Sequence, residues 1–107
     1  MIYTSYFGSY RGDNGVSIAR FYPSNFVAYP DLFPSSKLLR LKKSGMISDD
    51  EYKVQYYNEV LNNLNSEKVY SELNEKVLLC YEKAGYFCHR HIVAEWLINN
   101  GYKVKEI

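Results

Sequence analysis

No hydrophobic run in the chain exceeds about five residues, the longest lying around Val77 to Tyr81, far short of the roughly 20 that a membrane-spanning helix needs. Met1 to Gly12 carry neither a basic leader nor an apolar stretch behind it, so secretion and membrane insertion are not expected and the cytoplasm is the default compartment. Two cysteines are too few for a disulfide framework; without a leader they are expected as reduced thiols, metal ligands or core residues rather than a structural disulfide. The six glycines form no glycine-rich phosphate-binding fingerprint. A formal charge of +1 gives no whole-chain attraction to nucleic acid or to anionic lipid, so any such partner would have to meet a local patch.

What is present suits one small folded domain spanning residues 1–107. Hydrophobic residues are 47% and charged residues 23% of the 107, too apolar for intrinsic disorder, and the length leaves room for a single core. The charge is unevenly placed. Residues 1–45 carry Arg11, Arg20, Lys37, Arg40, Lys42 and Lys43 against Asp13 and Asp31, whereas the remainder is acidic. This basic front half is either an anion-binding face or the solvated surface of a helix over Lys37 to Lys43.

Ile2 to Tyr6 and Val16 to Phe21 have strand composition, the second introduced by the turn signal Asp13-Asn14-Gly15. Pro23, Pro30 and Pro34 make Phe21 to Ser36 an irregular aromatic loop. Ser35 or Ser36 can cap a helix through Leu38 to Leu41 that stops at Gly45. Ser48 and Glu51 form a capping box for a helix whose stripe runs through Tyr52, Tyr56, Val60 and Leu64. A short helix follows at about Ser66 to Leu73. Val77 to Tyr81 reads as a central strand buried on both faces, Cys88 to Asn100 as a helix, and Tyr102 to Ile107 as a closing strand. Strand, helix and strand at this spacing predict a parallel crossover. The expected fold is therefore α/β and Rossmann-like, a largely parallel sheet of about four strands with helices packed on it.

The stretch from Leu78 to Ala94 gathers Cys80, Glu82, Cys88, His89, Arg90 and His91 around one strand-to-helix turn. In open α/β sheets ligands settle beyond the carboxyl ends of strands, and a helix N-terminus favours an anion there. Cys88, at that N-terminus and beside Arg90, is either an activated thiolate nucleophile or an inert core thiol. Glu82 is placed to accept from a ribose hydroxyl, to act as a general base, or to pair with Arg90 or Arg20. His89 and Arg90 are candidate anion donors, His89 being equally suited to a structural role. Arg20, at the end of the second strand, reads as better placed for this pocket than the exposed Arg40. Ser5 and Arg11 flank a small polar loop able to donate to phosphate. Cys80, Cys88, His89 and His91 are zinc-type ligands, but their spacing does not form one convergent motif, so no metal and no cofactor is expected.

This segment resembles the family catalogued as domain of unknown function 488, whose members carry an apolar strand, then Cys-x-Glu, a short loop, and Cys-His-Arg opening a helix with a small residue four on. The matching positions are Cys80, Glu82, Cys88, His89, Arg90 and Ala94. Ser17-Ile18-Ala19-Arg20 with Pro23 is similar to the family's Asp-Val-Arg strand end, with Ser17 in place of the acid. The resemblance implies an α/β fold with a shared site. With about nine residues between the first two strands, the chain looks like a compact variant of the kind found in phage or mobile-element genomes.

The function expected is binding of a nucleotide-like or other anionic small molecule at the strand ends and the Cys-His-Arg helix start, with Cys88 and Glu82 as catalytic candidates if the ligand is hydrolysed or attacked at a nucleoside. The competing class is a non-catalytic interaction protein that sequesters a host nucleotide signal or docks a host protein.

Overall fold

The computed structural model describes residues 1–83 and 85–107. Five strands, β1 (Ile2–Tyr6), β2 (Gly15–Ser17), β3 (Val27–Ala28), β4 (Val77–Cys80) and β5 (Val104–Glu106), form one sheet in the order β3-β2-β4-β1-β5. Every pairing is parallel. Helices α1 (Ser36–Lys43), α2 (Asp49–Glu59), α3 (Ser66–Leu73) and α4 (His89–Asn99) pack on it, giving a small Rossmann-like α/β fold. The fifth strand, beyond the four expected, is the two-residue β3 inside the proline-rich loop. Val77–Cys80 is central, as its unbroken apolar run predicts.

The parallel run of β1 and β2 without an intervening helix follows from the register. Tyr3 and Gly15 both lie opposite Val77, so residues 7–14 need only retrace one short strand while passing β4, about 10 Å at the usual rise per residue. Tyr10 fixes this return. Its N–H donates to the Tyr6 carbonyl at 3.1 Å and its hydroxyl accepts from the Asn14 N–H at 2.9 Å. The ring then lies against Gly15, where a Cβ would sit 2.9 Å from Tyr10 Cε2 and 2.6 Å from Leu79 Cδ1.

β2 stops at Ser17 rather than running on to Phe21. The Ser17 hydroxyl accepts from the Ala19 N–H and donates to the Ala19 carbonyl, a local turn that competes with the ladder. In α2 the predicted stripe outlasts the helix, which ends at Glu59 because Asn63 donates to the carbonyls of Asn58 and Glu59. A 3-10 turn at Leu61–Asn63 still keeps Leu61 inside. The caps are as the sequence signals: Ser35 accepts from the Leu38 N–H, Ser48 and Glu51 complete a capping box, and Gly45 takes φ 77° after α1.

One core joins Ile2, Val16, Ile18 and Leu78 of the sheet side to Leu38, Tyr52, Tyr56, Val69, Leu73, Ile92, Val93, Trp96 and Leu97 from the four helices. The Tyr56 hydroxyl is buried there and donates to the Leu32 carbonyl at 2.6 Å, which ties the proline loop down over α2. Because the sheet is all parallel, β2, β4, β1 and β5 end on one side, and the loop after β4 meets α4 at that edge.

Candidate functional site

Beyond the carboxyl ends of β2 and β4, α1, α2 and the β4–α4 loop enclose a cleft of about 810 Å³, within the range of small-molecule sites. Its walls are aromatic, from Phe21, Tyr52, Tyr81 and Phe87, and its basic side is the α1 face carrying Arg40, Lys42 and Lys43. Glu82, Cys88 and His89 complete it. Lys42 is engaged, 2.8 Å from Asp49 and over the Phe87 ring at 5.2 Å. Arg40 and Lys43 are exposed and make no ion pair among the described residues. Burial pushes the Tyr52 phenol up, so it presents a neutral ring at ordinary pH.

His89 is held at the cleft floor. Its Nε2–H donates to the Ile18 carbonyl at 2.7 Å and its ring packs edge-on against Tyr56. Burial lowers its pKa to about 4, the bond to Ile18 opposing and the Arg90 charge reinforcing that shift. His89 is therefore neutral near pH 7, which removes it as a cationic anion donor.

Arg90 is completely buried, with every arm of the guanidinium occupied. Nε and Nη2 donate to the two Glu106 carboxylate oxygens at 3.1 and 2.8 Å, and Nη1 donates to the Glu82 carbonyl and to Cys80 Sγ, the latter at 3.0 Å. Tyr6 lies against it, 5.9 Å from ring centroid to Cζ. Burial would raise the Glu106 pKa, but hydrogen bonds from Arg90 and Thr4 and the charges of Arg90 and His91 outweigh it, so the carboxyl is held below its usual value. Arg90 thus fastens α4 to the ends of β4 and β5 and is not available to an external anion. Its place at the helix start predicts an anion donor, but the guanidinium is a structural clamp.

Three further ligand candidates also lie elsewhere. Arg20 leaves the same sheet edge but turns away, its Nε donating to the Pro34 carbonyl at 2.9 Å and its guanidinium lying 5.7 Å from the Phe33 ring centroid. Ser5 is buried and donates to the Ile107 carbonyl. Arg11 is exposed and returns to the Tyr10 carbonyl. None of the three lines the cleft. Arg40, which the sequence reading ranked below Arg20, lines it, as do Lys43, Tyr52 and Phe87. The signal for them was the basic run after Ser35, but only the packing of α1 beside α2 shows which of its residues border the cleft.

The two cysteines differ from expectation as well. Cys80 and Cys88 are joined in a disulfide, so in this state Cys88 offers no thiolate and cannot serve as a nucleophile. Both are buried in a small cluster with Ala19 and Phe7. The sulfurs and the His89 ring lie within 4.8 Å of one another, whereas His91 stands outside this group. The ligands that looked scattered along the sequence thus converge for three of the four.

Fold and site together define a small Rossmann-like protein with an aromatic, basic-rimmed cleft at the strand ends. The chain belongs to the DUF488 family: the model of DUF488-N3a, described as the active DUF488-N3 subclade, matches residues 14–101. That match spans the cleft but leaves out β1 and β5, and with them Glu106, the partner of Arg90. No curated protein and no solved structure is similar enough to the chain to count as a match. No described helix is long and apolar enough to cross a membrane.

Proposed function

We propose that the cleft binds a nucleotide-like small molecule, with its aromatic part between Phe21, Tyr52 and Phe87 and its anionic part on Arg40 and Lys43. The observation that carries this reading is the coincidence, in one cavity at the ends of parallel strands, of ring-lined walls and two basic side chains with no acidic partner among the described residues. Aromatic faces stack on bases at low sequence selectivity, and a guanidinium is suited to bidentate contact with phosphate. Glu82, exposed at the rim, is the group positioned to take a proton from a water or a ribose hydroxyl, so hydrolytic or nucleoside-directed turnover is the chemistry the site supports. The description of the matched subclade as active favours turnover over simple sequestration.

A second reading rests on the cleft's own aromatics that reach solvent, where Phe21 is 69% and Tyr81 51% exposed. Exposed aromatics are enriched in protein interfaces, so a host protein, or sequestration of a host nucleotide signal without turnover, as in a phage or mobile-element factor, is the alternative. A titration of the isotopically labelled protein with adenosine, AMP and inorganic phosphate separates the two. Amide shifts at Tyr52, Phe87 and the α1 residues that are larger for AMP than for adenosine or phosphate support the nucleotide reading. No shifts with any of the three would favour the protein-docking reading.

A further inference from the structure

We propose that Cys80, Cys88 and His89, once the cysteine pair is reduced, form a site for one zinc-class metal ion at the floor of the cleft. Two thiolates and an imidazole are the donor set that zinc takes tetrahedrally. All three side chains are buried and their ligand atoms already lie within 4.8 Å of one another. Bonds of about 2.3 Å to sulfur and 2.0 Å to nitrogen place tetrahedral ligands roughly 3.5 to 3.8 Å apart, a spacing the three groups can reach once the sulfur–sulfur bond is broken and the sulfurs part. The Cα atoms of Cys80 and Cys88 are 7.3 Å apart, past the roughly 4.4 to 6.8 Å usual for bridged cysteines. A shared ion between the two sulfurs fits that spacing.

The surroundings have the form that metal sites require. The Ile18 carbonyl can only accept, so Nε2 of His89 carries the proton and Nδ1 keeps its lone pair for a metal. A ligating histidine that donates its other N–H to a backbone carbonyl is the usual arrangement. Arg90 Nη1 lies 3.0 Å from Cys80 Sγ and would stabilise that sulfur as a thiolate. Cys88 and His89 both line the cleft, so an ion held by them would border the space where a ligand would sit and could keep a fourth position open to it. That is the open-site pattern of three protein ligands.

Disulfide and metal are mutually exclusive states of the same sulfurs. A dithiol reductant supplies two electrons and two protons to the Cys80–Cys88 bond and is itself oxidised to a disulfide. The ion then binds as the two thiol protons leave to solvent, and the pair of thiolates neutralises its charge.

Cobalt(II) and zinc(II) titrations of the whole chain test this. The reduced protein should take up one cobalt per chain with thiolate-to-metal charge-transfer absorption and tetrahedral ligand-field bands, and zinc should displace the cobalt. The oxidised protein should show neither. Zinc should protect both thiols of the reduced protein from alkylation, and Cys88→Ser or His89→Gln should weaken cobalt binding at least tenfold. If those variants do not fold, the oxidised and reduced forms of the parent carry the comparison. If the reduced parent unfolds, recovery of its fold on adding zinc supports the site and failure to recover overturns it. A reduced, folded protein with two freely titrating thiols and no sulfur-to-cobalt absorption overturns the proposal.

Discussion

Replacing Arg90 by methionine removes a buried charge while keeping most of the aliphatic bulk, and its cost can be worked from the contacts. Taking one partner from a buried ion pair costs about 3 to 5 kcal/mol when the other is left uncompensated. Here the orphan would be Glu106, whose side chain keeps 30% exposure and still accepts from the Thr4 hydroxyl, so water relieves part of that penalty. Loss of the Nη1 bonds to the Glu82 carbonyl and Cys80 adds back a fraction of the roughly 1.5 to 3 kcal/mol typical of charge-assisted bonds. The expected total is about 3 kcal/mol. For a domain of this size that is a fall in Tm of roughly 12 to 24 °C, readable by urea and thermal melts followed by circular dichroism. The sign with pH also follows. Glu106 is held below its ordinary pKa of 4.5, so its contribution is complete above that value and is lost as pH falls through the depressed folded value. The gap between the parent and Arg90→Met should therefore narrow in acid. A variant within about 0.5 kcal/mol of the parent, or a gap that widens toward acid, would refute the view that Arg90 is a structural clamp.

Gly15→Ala should destabilise by about 1 to 3 kcal/mol, the usual cost of overpacking, because its methyl would meet Leu79, Tyr10 and Phe26 at 2.6, 2.9 and 3.1 Å; a urea midpoint equal to the parent's would show that the residue 7–14 return relaxes freely. Tyr56→Phe should cost about 1 to 3 kcal/mol by leaving the buried Leu32 carbonyl without its donor, checked in the same assay. Glu82→Gln should leave nucleotide affinity within a few fold while removing any turnover that chromatography of incubated nucleotides detects, since Glu82 is exposed and holds no described structural contact through its carboxylate.

The caps, the parallel sheet and the central β4 were legible because each is a local signal: Ser48 with Glu51, Gly45 after α1, and an apolar run too continuous for a half-exposed strand. The site was only half legible. Glu82, Cys88 and His89 reach the cleft because they follow β4 and open α4, and the topology of a parallel sheet places that turn at the ligand edge. Arg90 misled because a cation at a helix start looks the same in sequence whether it faces solvent or an acid that is 16 residues away and arrives on β5. Arg20 misled because the carbonyl that claims it belongs to Pro34, in a loop whose path no periodicity encodes. Arg40 and Lys43 were visible only as members of a basic run, since facing inward depends on how α1 docks.

Calorimetric titration of the parent and of an Arg40→Ala, Lys43→Ala double variant with nucleoside monophosphates and their parent nucleosides is the most direct measurement of the central claim. A ligand present at a hundredfold its Kd stabilises the folded state by about 2.7 kcal/mol, so a parallel melt should rise by roughly 10 to 20 °C. The account predicts that at least one monophosphate binds the parent more tightly than its nucleoside. The double variant should lose at least tenfold in affinity for that monophosphate and little for the nucleoside, with its own melt in the absence of ligand unchanged. Monophosphate affinity that is equal in the parent and the double variant, or no heat and no melting shift with any member of the series, would contradict it.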